Sequence, residues 1–262
     1  MKIAIVIPAR YGSTRFPGKP LAQIGGRSML SRVVHVARNA AQGLEDVSIF
    51  VTSEDQRIAD HAQALGVACY LTAEDCPTGS DRALAAIEMS GQKFDFVVNL
   101  QGDAPFTPVT VVRALIEAYR ANPQIEVVTP VHRLRWEDLD RLREAKKTTP
   151  FSGTTAIVNS AGEALWFSKT ILPAIRKEDR SQPFSPVHQH IGLYGFRVDV
   201  LKTFCSLPTG TYEALEGLEQ LRLLENGIKI QTVAVEAAEG LIQSGIDTPE
   251  DLERAEKMLA RA

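Results

Sequence analysis

Three cations lie on one glycine-containing segment near the start of the chain, PARYGSTRFPGKP. Arg10, Arg15 and Lys19 are interspersed there with Gly12 and Gly18. Glycine lets backbone N–H groups approach a phosphate oxygen, arginine holds phosphate with paired N–H groups, and lysine supplies a mobile point charge. The segment therefore predicts a phosphate-binding loop, and an exposed loop with unrelated charges is the alternative. Its spacing is neither GxGxxG nor GxxxxGK[ST], which disfavours a dinucleotide oxidoreductase or a P-loop enzyme.

Two aspartates lie where apolar segments end. Asp103, in NLQGDAP, follows a buried-strand pattern, and Asp247, in SGIDTPEDL, directly precedes a predicted helix. Open α/β sheets bind ligands beyond the carboxyl ends of their strands, and carboxylates are the hard oxygen ligands that Mg²⁺ prefers. Each aspartate alone could equally form a turn before the next helix. Whether the two meet at one metal ion is left open by the sequence.

A further group of polar residues suits a polyhydroxylated carboxylate. In PTGSDR, the hydroxyl, backbone and guanidinium donors belong to Thr78, Gly79, Ser80 and Arg82. His188 and His190, in HQHIGLYGF, are expected to be structural, because no third ligand nearby completes a metal site. In LEGLEQLR, a solvated helix face and a set of hydroxyl acceptors remain alternative interpretations of Glu216, Glu219, Gln220 and Arg222.

Composition and charge argue against several classes of protein. The 262 residues carry a net charge of −3, which argues against duplex nucleic acid as the main partner. Three cysteines without a CxxC pair indicate neither a disulfide framework nor a thiolate zinc site. The apolar run Ile3–Pro8 is shorter than a signal-peptide core, and no stretch is long enough for a membrane span. We therefore expect a soluble cytoplasmic protein that does not contact a membrane.

Alternating strand and helix patterns organise the first half. The predicted strands are Ile3–Ile7, Val47–Thr52, Val67–Leu71 and FDFVVNL; the predicted helices contain Met29 to Ala40, Ile58 to Leu65, Leu84 with Ile87, and Val109–Tyr119. This rhythm predicts an α/β fold with a Rossmann-like, mostly parallel central sheet and helices on both faces.

The rhythm changes after Pro130. Thr155–Val158 and Ala164–Phe167 flank NSAG as a predicted hairpin, HIGLYGF is one strand, EGLEQLRLLENG is one helix, and Ile228–Val235 is a strand. Thr248 as N-cap and Pro249 in the first turn predict a C-terminal helix. We expect a single domain over 1–262, in which about 150–235 form an insertion.

Several segments, taken in order, resemble the sugar-acid cytidylyltransferases and within them the 3-deoxy-manno-octulosonate cytidylyltransferase family: IPARYGSTRFPGKPL, NLQGDAP, HIGLYGFR, LEGLEQLRLLENG and GIDTPEDLERAE. The resemblance implies a nucleotide-diphospho-sugar transferase fold and transfer of CMP from CTP to 3-deoxy-manno-octulosonate, with release of pyrophosphate. It also implies a need for Mg²⁺, a homodimer formed through the second half, in which the insertion binds the sugar acid, and a product used in lipopolysaccharide assembly.

The resemblance also implies roles for individual positions. The nucleotide-binding positions are Pro8, Ala9, Arg10, Ser13, Lys19 and Gln101. Arg10, Lys19, Asp103 and Asp247 are the expected catalytic residues, and the last two are the expected Mg²⁺ ligands. The expected sugar-acid positions are Thr78, Gly79, Ser80, Arg82, His190, Tyr194, Glu219 and Gln220.

The chain departs from the family pattern near these positions. In TAEDCPTGSDR, Ala73 replaces an arginine, Cys76 a histidine and Thr78 a serine; QGDAP replaces QGDEP, and FSGTTAIVN lacks the usual lysine. These changes leave the reaction class standing but keep three alternatives open: a modified octulosonate as acceptor, another sugar acid, and a catalytically silent CTP-binding homologue. A pyrophosphorylase that uses a sugar 1-phosphate shares the fold and the loop and is a separate alternative, against which HIGLYGF and LEQLR argue.

Overall fold

A computed structural model describes residues 1–13, 15–236 and 245–259. The strands are β1 (Ile3–Pro8), β2 (Gln23–Ile24), β3 (Arg27–Ser28), β4 (Val47–Ser53), β5 (Ala68–Leu71), β6 (Phe96–Asn99), β7 (Val127–Arg135), β8 (Thr154–Val158), β9 (Ala164–Ser168), β10 (Phe184–His190), β11 (Tyr194–Arg197) and β12 (Ile230–Ala234). The helices are α1 (Met29–Ala41), α2 (Gln56–Ala64), α3 (Gly79–Met89), α4 (Val109–Ala121), α5 (Trp136–Thr148), α6 (Val198–Ser206), α7 (Thr211–Glu216), α8 (Gln220–Glu225) and α9 (Pro249–Leu259).

One sheet in the described part of the chain runs in the order β5-β4-β1-β6-β11-β7-β10-β8-β9, with β12 paired to β7. Strands β5, β4, β1 and β6 are parallel, and β11, β10, β8 and β9 join by antiparallel pairing. The predicted α/β fold with parallel central strands is confirmed, and so is the β8–β9 hairpin around NSAG.

Strand β1 shows why helices cover both faces. All six of its residues are buried, and successive side chains point to opposite faces of the sheet. Ile5 and its odd-numbered neighbours pack in the core with α1 and α4, whereas Ala4 and Val6 pack in the core with α3 and α6. A strand buried on both faces needs a continuous apolar run, which is the pattern that the sequence carries.

Two sequence predictions in the second half are wrong. HIGLYGF is divided between β10, which ends at His190, and β11, which begins at Tyr194. EGLEQLRLLENG is divided between α7 and α8, because Gly217 has a φ of 63° and ends α7 in the left-handed conformation. Strand β7 and helix α5 were not predicted at all.

Helix starts follow the sequence more closely. Thr78 caps α3, and its hydroxyl oxygen accepts the N–H of Ser80 at 3.1 Å. Thr248 lies directly before α9 as predicted, and it accepts the N–H of Asp251 at 3.2 Å. Among the described residues, no helix combines the length and the apolar composition that crossing a membrane requires.

Candidate active site

A cleft of about 450 Å³ opens beyond the carboxyl end of β6, between the parallel and antiparallel parts of the sheet. Eight residues predicted from the sequence line it: Gly79, Ser80, Gln101, Asp103, His190, Tyr194, Glu219 and Gln220. They come from segments far apart in the chain, so the fold gathers half of the sixteen predicted site residues in one cleft.

Asp103 is positioned by the glycine that precedes it. The N–H of Gly102 donates to the carbonyl oxygen of Pro8 at 3.2 Å, and a Cβ at Gly102 would lie only 2.5 Å from that oxygen. Any side chain at position 102 would therefore push the loop after β6 away from the end of β1. This close approach brings Asp103 beside the start of the cationic loop.

Lys19 brings the two predicted metal ligands together. Its Nζ lies 2.6 Å from Asp103 Oδ2 and 3.1 Å from Asp247 Oδ1. The segment before Asp247 docks on Asp103 through the N–H of Ile246, which donates to the Asp103 carbonyl at 2.8 Å. Burial lowers the pKa of Lys19, but the two carboxylates outweigh burial and raise it above its ordinary value of 10.5. Lys19 is therefore a protonated cation between two acids.

This arrangement fits a divalent cation. Two carboxylates that reach the same ammonium group can also reach one small ion, and their hard oxygens suit Mg²⁺. Asp251 fixes the backbone at Asp247, because its Oδ2 accepts hydrogen bonds from the N–H groups of Asp247 and Thr248 at 3.2 and 3.1 Å. Two protein ligands leave coordination positions for water and phosphate oxygens.

The cationic loop differs from the expectation in one respect. Its backbone donors are already engaged, because Glu54 Oε1 accepts the N–H groups of Tyr11 and Gly12 at 2.9 and 3.1 Å. The N–H of Ser13 donates to the carbonyl of Tyr11 at 2.9 Å. The loop therefore offers phosphate its charged side chains rather than these three amides.

The cations and apolar residues of the loop have different exposures. Arg10 and Arg15 are exposed, and Arg15 Nη2 lies 3.2 Å from Asp247 Oδ2. Pro8 and Ala9 are buried at the end of β1. Both arginines therefore present exposed guanidinium groups at the loop, and that of Arg15 also pairs with Asp247.

Thr78 and Arg82 lie behind the cleft rather than on its wall, which differs from the sequence-based expectation. The Thr78 hydroxyl is used in capping α3. Arg82 is fully buried: its Nη1 donates to Thr72 Oγ1 at 2.7 Å and lies 3.4 Å from Glu54 Oε2. Since Glu54 holds the loop amides, Arg82 supports the cationic loop from behind.

His190 is a neutral imidazole in this site. Burial, together with the charge of Lys169, lowers the pKa of His190 to about 3. Its Nε2 lies 2.9 Å from the hydroxyl of Thr129, which itself donates to the carbonyl of Leu193 at 2.8 Å. Thr129 has one proton to donate, so Nε2 carries the histidine proton and Nδ1 is the acceptor of the ring.

The polar residues of the segment LEGLEQLR are largely buried rather than solvated, and they divide between structural contacts and the cleft. Arg222 forms a buried ion pair with Glu213, and Glu216 accepts the N–H of Lys169 at 2.8 Å. Glu219 lines the cleft, where burial raises its pKa above the ordinary value of 4.5, and the hydroxyl of Ser80 lies 3.4 Å from its Oε2. Only Glu219 and Gln220 of this segment's four polar residues therefore contribute to the cleft.

Sequence reasoning missed Asn99 and Lys169, which both line the cleft. Asn99 is a polar residue at the end of an apolar strand pattern, and Lys169 follows the last residue of β9. Each position is therefore only a weak indication, in the sequence, of a site residue. Among the described residues, the buried Asn99 Oδ1 and Gln220 Nε2 have no hydrogen-bond partner. These two atoms give the cleft an acceptor and a donor for a polar ligand.

Comparison with known proteins identifies the family. A family model described as cytidylyltransferase matches residues 4–230. A 3-deoxy-manno-octulosonate cytidylyltransferase of Maricaulis maris is 43% identical over 260 residues, 99% of this chain and 98% of that protein. The chain belongs to the 3-deoxy-manno-octulosonate cytidylyltransferase family. A family member of Parabacteroides distasonis is 36% identical over 262 residues, 99% of each chain.

Solved structures agree with this family. CMP:2-keto-3-deoxy-manno-octonic acid synthetase complexed with CTP matches with a TM-score of 0.83 and 33% identity, over 100% of this chain and 99% of that chain. A cytidylyltransferase of Leptospira borgpetersenii matches with a TM-score of 0.63 at 19% identity, which shows a shared fold alone. The cleft described above is thus the candidate active site of a cytidylyltransferase.

Proposed function

We propose that this chain transfers CMP from CTP to 3-deoxy-manno-octulosonate, with release of pyrophosphate, in a Mg²⁺-dependent reaction. The observation that carries the proposal is the contact of Lys19 with Asp103 and Asp247 beside the cleft, whose lining includes Asp103. It combines a charge for the triphosphate with a ligand pair for a metal ion, directly beside a pocket for an acceptor.

The triphosphate binds at the cationic loop. Arg10 and Arg15 are exposed there and offer guanidinium groups to the phosphates, while Lys19 is held at the centre of the site. Ser13 and Gln101 supply neutral polar groups for the nucleotide. Mg²⁺ held by Asp103 and Asp247 would supply positive charge to the triphosphate oxygens, which is the usual way in which such sites stabilise phosphoryl transfer.

The sugar acid binds deeper in the cleft. Lys169 is the cationic side chain among its lining residues in the described part of the chain, and it faces the substrate carboxylate in this proposal. His190 Nδ1 and Asn99 Oδ1 accept hydrogen bonds from sugar hydroxyls, and Gln220 Nε2 donates one. These groups account for a ligand that is both acidic and polyhydroxylated.

The reaction is a direct displacement that needs no protein nucleophile. The anomeric hydroxyl of the sugar acid attacks the α-phosphorus of CTP, a new P–O bond forms, and the bond to the β-phosphate oxygen breaks. The products are the CMP sugar, pyrophosphate and one proton. Correct positioning and electrostatic stabilisation of the developing charge supply the rate enhancement.

The product of this transfer is an activated sugar acid for lipopolysaccharide assembly, and we place the reaction in the cytoplasm. The enzyme acts as a homodimer in this proposal. The large apolar side chains of Leu165, Tyr212 and Leu215 are exposed in the second half, at 56%, 49% and 77%, and a dimer interface there would cover them. Light scattering on the purified chain tests this assembly.

Pyrophosphate release tests the reaction. Each of the four nucleoside triphosphates is incubated with Mg²⁺ and 3-deoxy-manno-octulosonate, an amino-substituted octulosonate, another sugar acid or a sugar 1-phosphate. Release with CTP and 3-deoxy-manno-octulosonate supports the proposal. Release with only another acid reassigns the acceptor, and release with only the sugar 1-phosphate indicates a pyrophosphorylase. Calorimetric CTP binding without release from any acceptor indicates a silent homologue.

A further inference from the structure

The peptide unit at Lys169 is held from both sides by charged side chains. Lys146 Nζ donates to the carbonyl oxygen of Lys169 at 2.6 Å. Glu216 accepts the N–H of Lys169 at 2.8 Å and the hydroxyl of Ser168 at 2.8 Å. Lys146 lies in the last turn of α5 and Glu216 ends α7, so two separate helices fix the backbone from which Lys169 enters the cleft.

Lys146 also holds a second segment of the cleft wall. Its Nζ lies 3.3, 2.5 and 3.0 Å from the carbonyl oxygens of Pro150, Ser152 and Gly153. Gly153 and Thr154 line the cleft, whereas Lys146 does not. One ammonium group therefore ties the segment before β8 to the residue that follows β9.

The contacts of Lys146 differ from those of an ordinary surface lysine. Its Nζ lies within 3.3 Å of four main-chain carbonyl oxygens. Burial and the charge of Lys169 lower the pKa of Lys146 below its ordinary value of 10.5, although the carboxylate of Glu216 opposes this shift. Hydrogen bonds from a charged donor to neutral acceptors are stronger than neutral pairs, so the contact is rigid enough to define the wall. The adjacent Lys147 is exposed and pairs only with the exposed Glu144 among the described residues, which makes it a matched control.

We infer that Lys146 is a positioning residue for the acceptor, which sets the sugar-acid side of the cleft by holding Lys169 and Gly153 through their carbonyl oxygens. The inference rests on the proposed function. Lys146 contacts no substrate: it acts through Lys169, whose ammonium must meet the carboxylate of the sugar acid, and through the backbone beside Thr154. The nucleotide side, at Lys19 and Asp103, lies on other elements and is independent of this contact.

Lys146→Met removes the ammonium and keeps most of the stem, and Lys147→Met is its control. We expect the KM for the sugar acid to rise about tenfold in the first variant, while the KM for CTP stays within about twofold, because one charged contact to the wall is lost and the phosphate loop is untouched. Glu216→Gln changes the same KM in the same direction. Equal increases in both KM values, or none, would overturn the inference.

Chemical rescue separates positioning from general stability. In Lys146→Ala, propylammonium replaces the missing three carbons and the charge, so it restores the sugar-acid KM; it has no such effect on Lys147→Ala, whose exposed ammonium does not contact the cleft wall. Thermal unfolding confirms that each variant is folded. Failure of rescue in a folded Lys146→Ala variant, at propylammonium concentrations that leave the wild type unaffected, counts against the inference.

Hydrogen exchange provides a measurement that does not depend on turnover. Peptides that cover 150–155 and 168–170 exchange faster in Lys146→Met than in Lys147→Met, and peptides of β1 do not change. Unchanged exchange overturns the inference even in an active enzyme. If the wild type is inactive with every acceptor while exchange rises as expected, the proposed function has failed and the structural contact stands.

Discussion

Lys19 and Asp103 form an ion pair with 2.6 Å between Nζ and Oδ2, although 84 positions separate them in the chain. The same ammonium lies 3.1 Å from Asp247, 228 positions away. The first loop, the end of a central strand and the segment before the last helix therefore meet at one nitrogen atom. The nucleotide side of the site depends on this meeting point.

Replacement of Asp103 or Asp247 by asparagine keeps the shape of the side chain and removes its charge. We expect each variant to lose Mg²⁺-dependent turnover by about a thousandfold, because a catalytic metal stabilises the transition state by several kcal/mol. Turnover is measured as a function of Mg²⁺ concentration, with folding checked by circular dichroism. Asp199→Asn is the control, since Asp199 pairs with Arg197 on the surface. An unchanged Mg²⁺ response in either variant would remove that residue from the metal site.

Glu54 orders the cationic loop, because it accepts hydrogen bonds from the backbone N–H groups of Tyr11 and Gly12. In Glu54→Gln, weaker hydrogen bonds leave the loop less ordered, so we expect the KM for CTP to rise about fivefold while the KM for the sugar acid stays unchanged. Steady-state kinetics with each substrate varied in turn measures this difference. The exposed Glu45→Gln variant is the control. A larger effect on the sugar acid than on CTP would contradict the role of Glu54.

His190 makes the fold sensitive to acid. Its pKa is lowered to about 3 in the folded chain, so below its ordinary value of 6.5 the unfolded chain binds a proton that the folded chain does not. Stability is therefore lost as pH falls from 6.5 towards 3. His190→Gln removes this loss, and at pH 5 it should retain up to about 2 kcal/mol more of its neutral-pH stability than the wild type does.

Urea unfolding at pH 7 and pH 5 checks this prediction, with the exposed His35→Gln variant as control. His132 and His188 are half-buried and also have lowered pKa values, so some acid sensitivity remains in the variant. Equal losses of stability in His190→Gln and His35→Gln would show that His190 titrates as it does in the unfolded chain.

Glu219 contributes a pH dependence of stability that is opposite in sign to that of His190. Burial raises its pKa above 4.5, so its ionised form destabilises the fold at neutral pH, and this cost disappears below pH 4.5, where the unfolded carboxyl is protonated too. Glu219→Gln should raise the Tm at pH 7 by about 2–4 °C, leave it unchanged at pH 4, and raise the KM for the sugar acid. Thermal scans at both pH values measure it. A lower Tm at pH 7 would indicate that the carboxylate is stabilised in place.

Sequence patterns predict those helices and strands whose formation depends on residues close together in the chain. The apolar run of β1 and the Thr248–Pro249 start of α9 are visible in the sequence because burial on two faces and capping involve neighbouring residues. Gly217 was misread because a glycine within a charged helical pattern does not reveal that it adopts a left-handed conformation. The division of one predicted helix into two followed from that single backbone angle.

Site residues could be predicted from the sequence only where they belong to a recognisable motif. Lys19, Asp103 and Asp247 each stand in a recognisable segment, but their mutual distances depend on the close approach of Gly102 to Pro8, which no pattern encodes. Glu54 reaches Tyr11 across 43 positions, a tertiary contact to backbone amides that leaves no spacing signal. Arg82 was expected in the cleft because its charge suits a carboxylate, whereas burial beside Glu54 assigns it to the support of the loop.

In the proposed reaction, the anomeric hydroxyl of the acceptor displaces pyrophosphate from CTP in this cleft. The most direct test is ³¹P NMR of the wild-type chain with CTP, Mg²⁺ and 3-deoxy-manno-octulosonate, alongside a parallel sample with the 2-deoxy analogue, which lacks that hydroxyl. We expect one phosphodiester and one pyrophosphate per CTP consumed in the first sample and no change in the second. Intact CTP in both samples, or pyrophosphate formed equally in both, would contradict it.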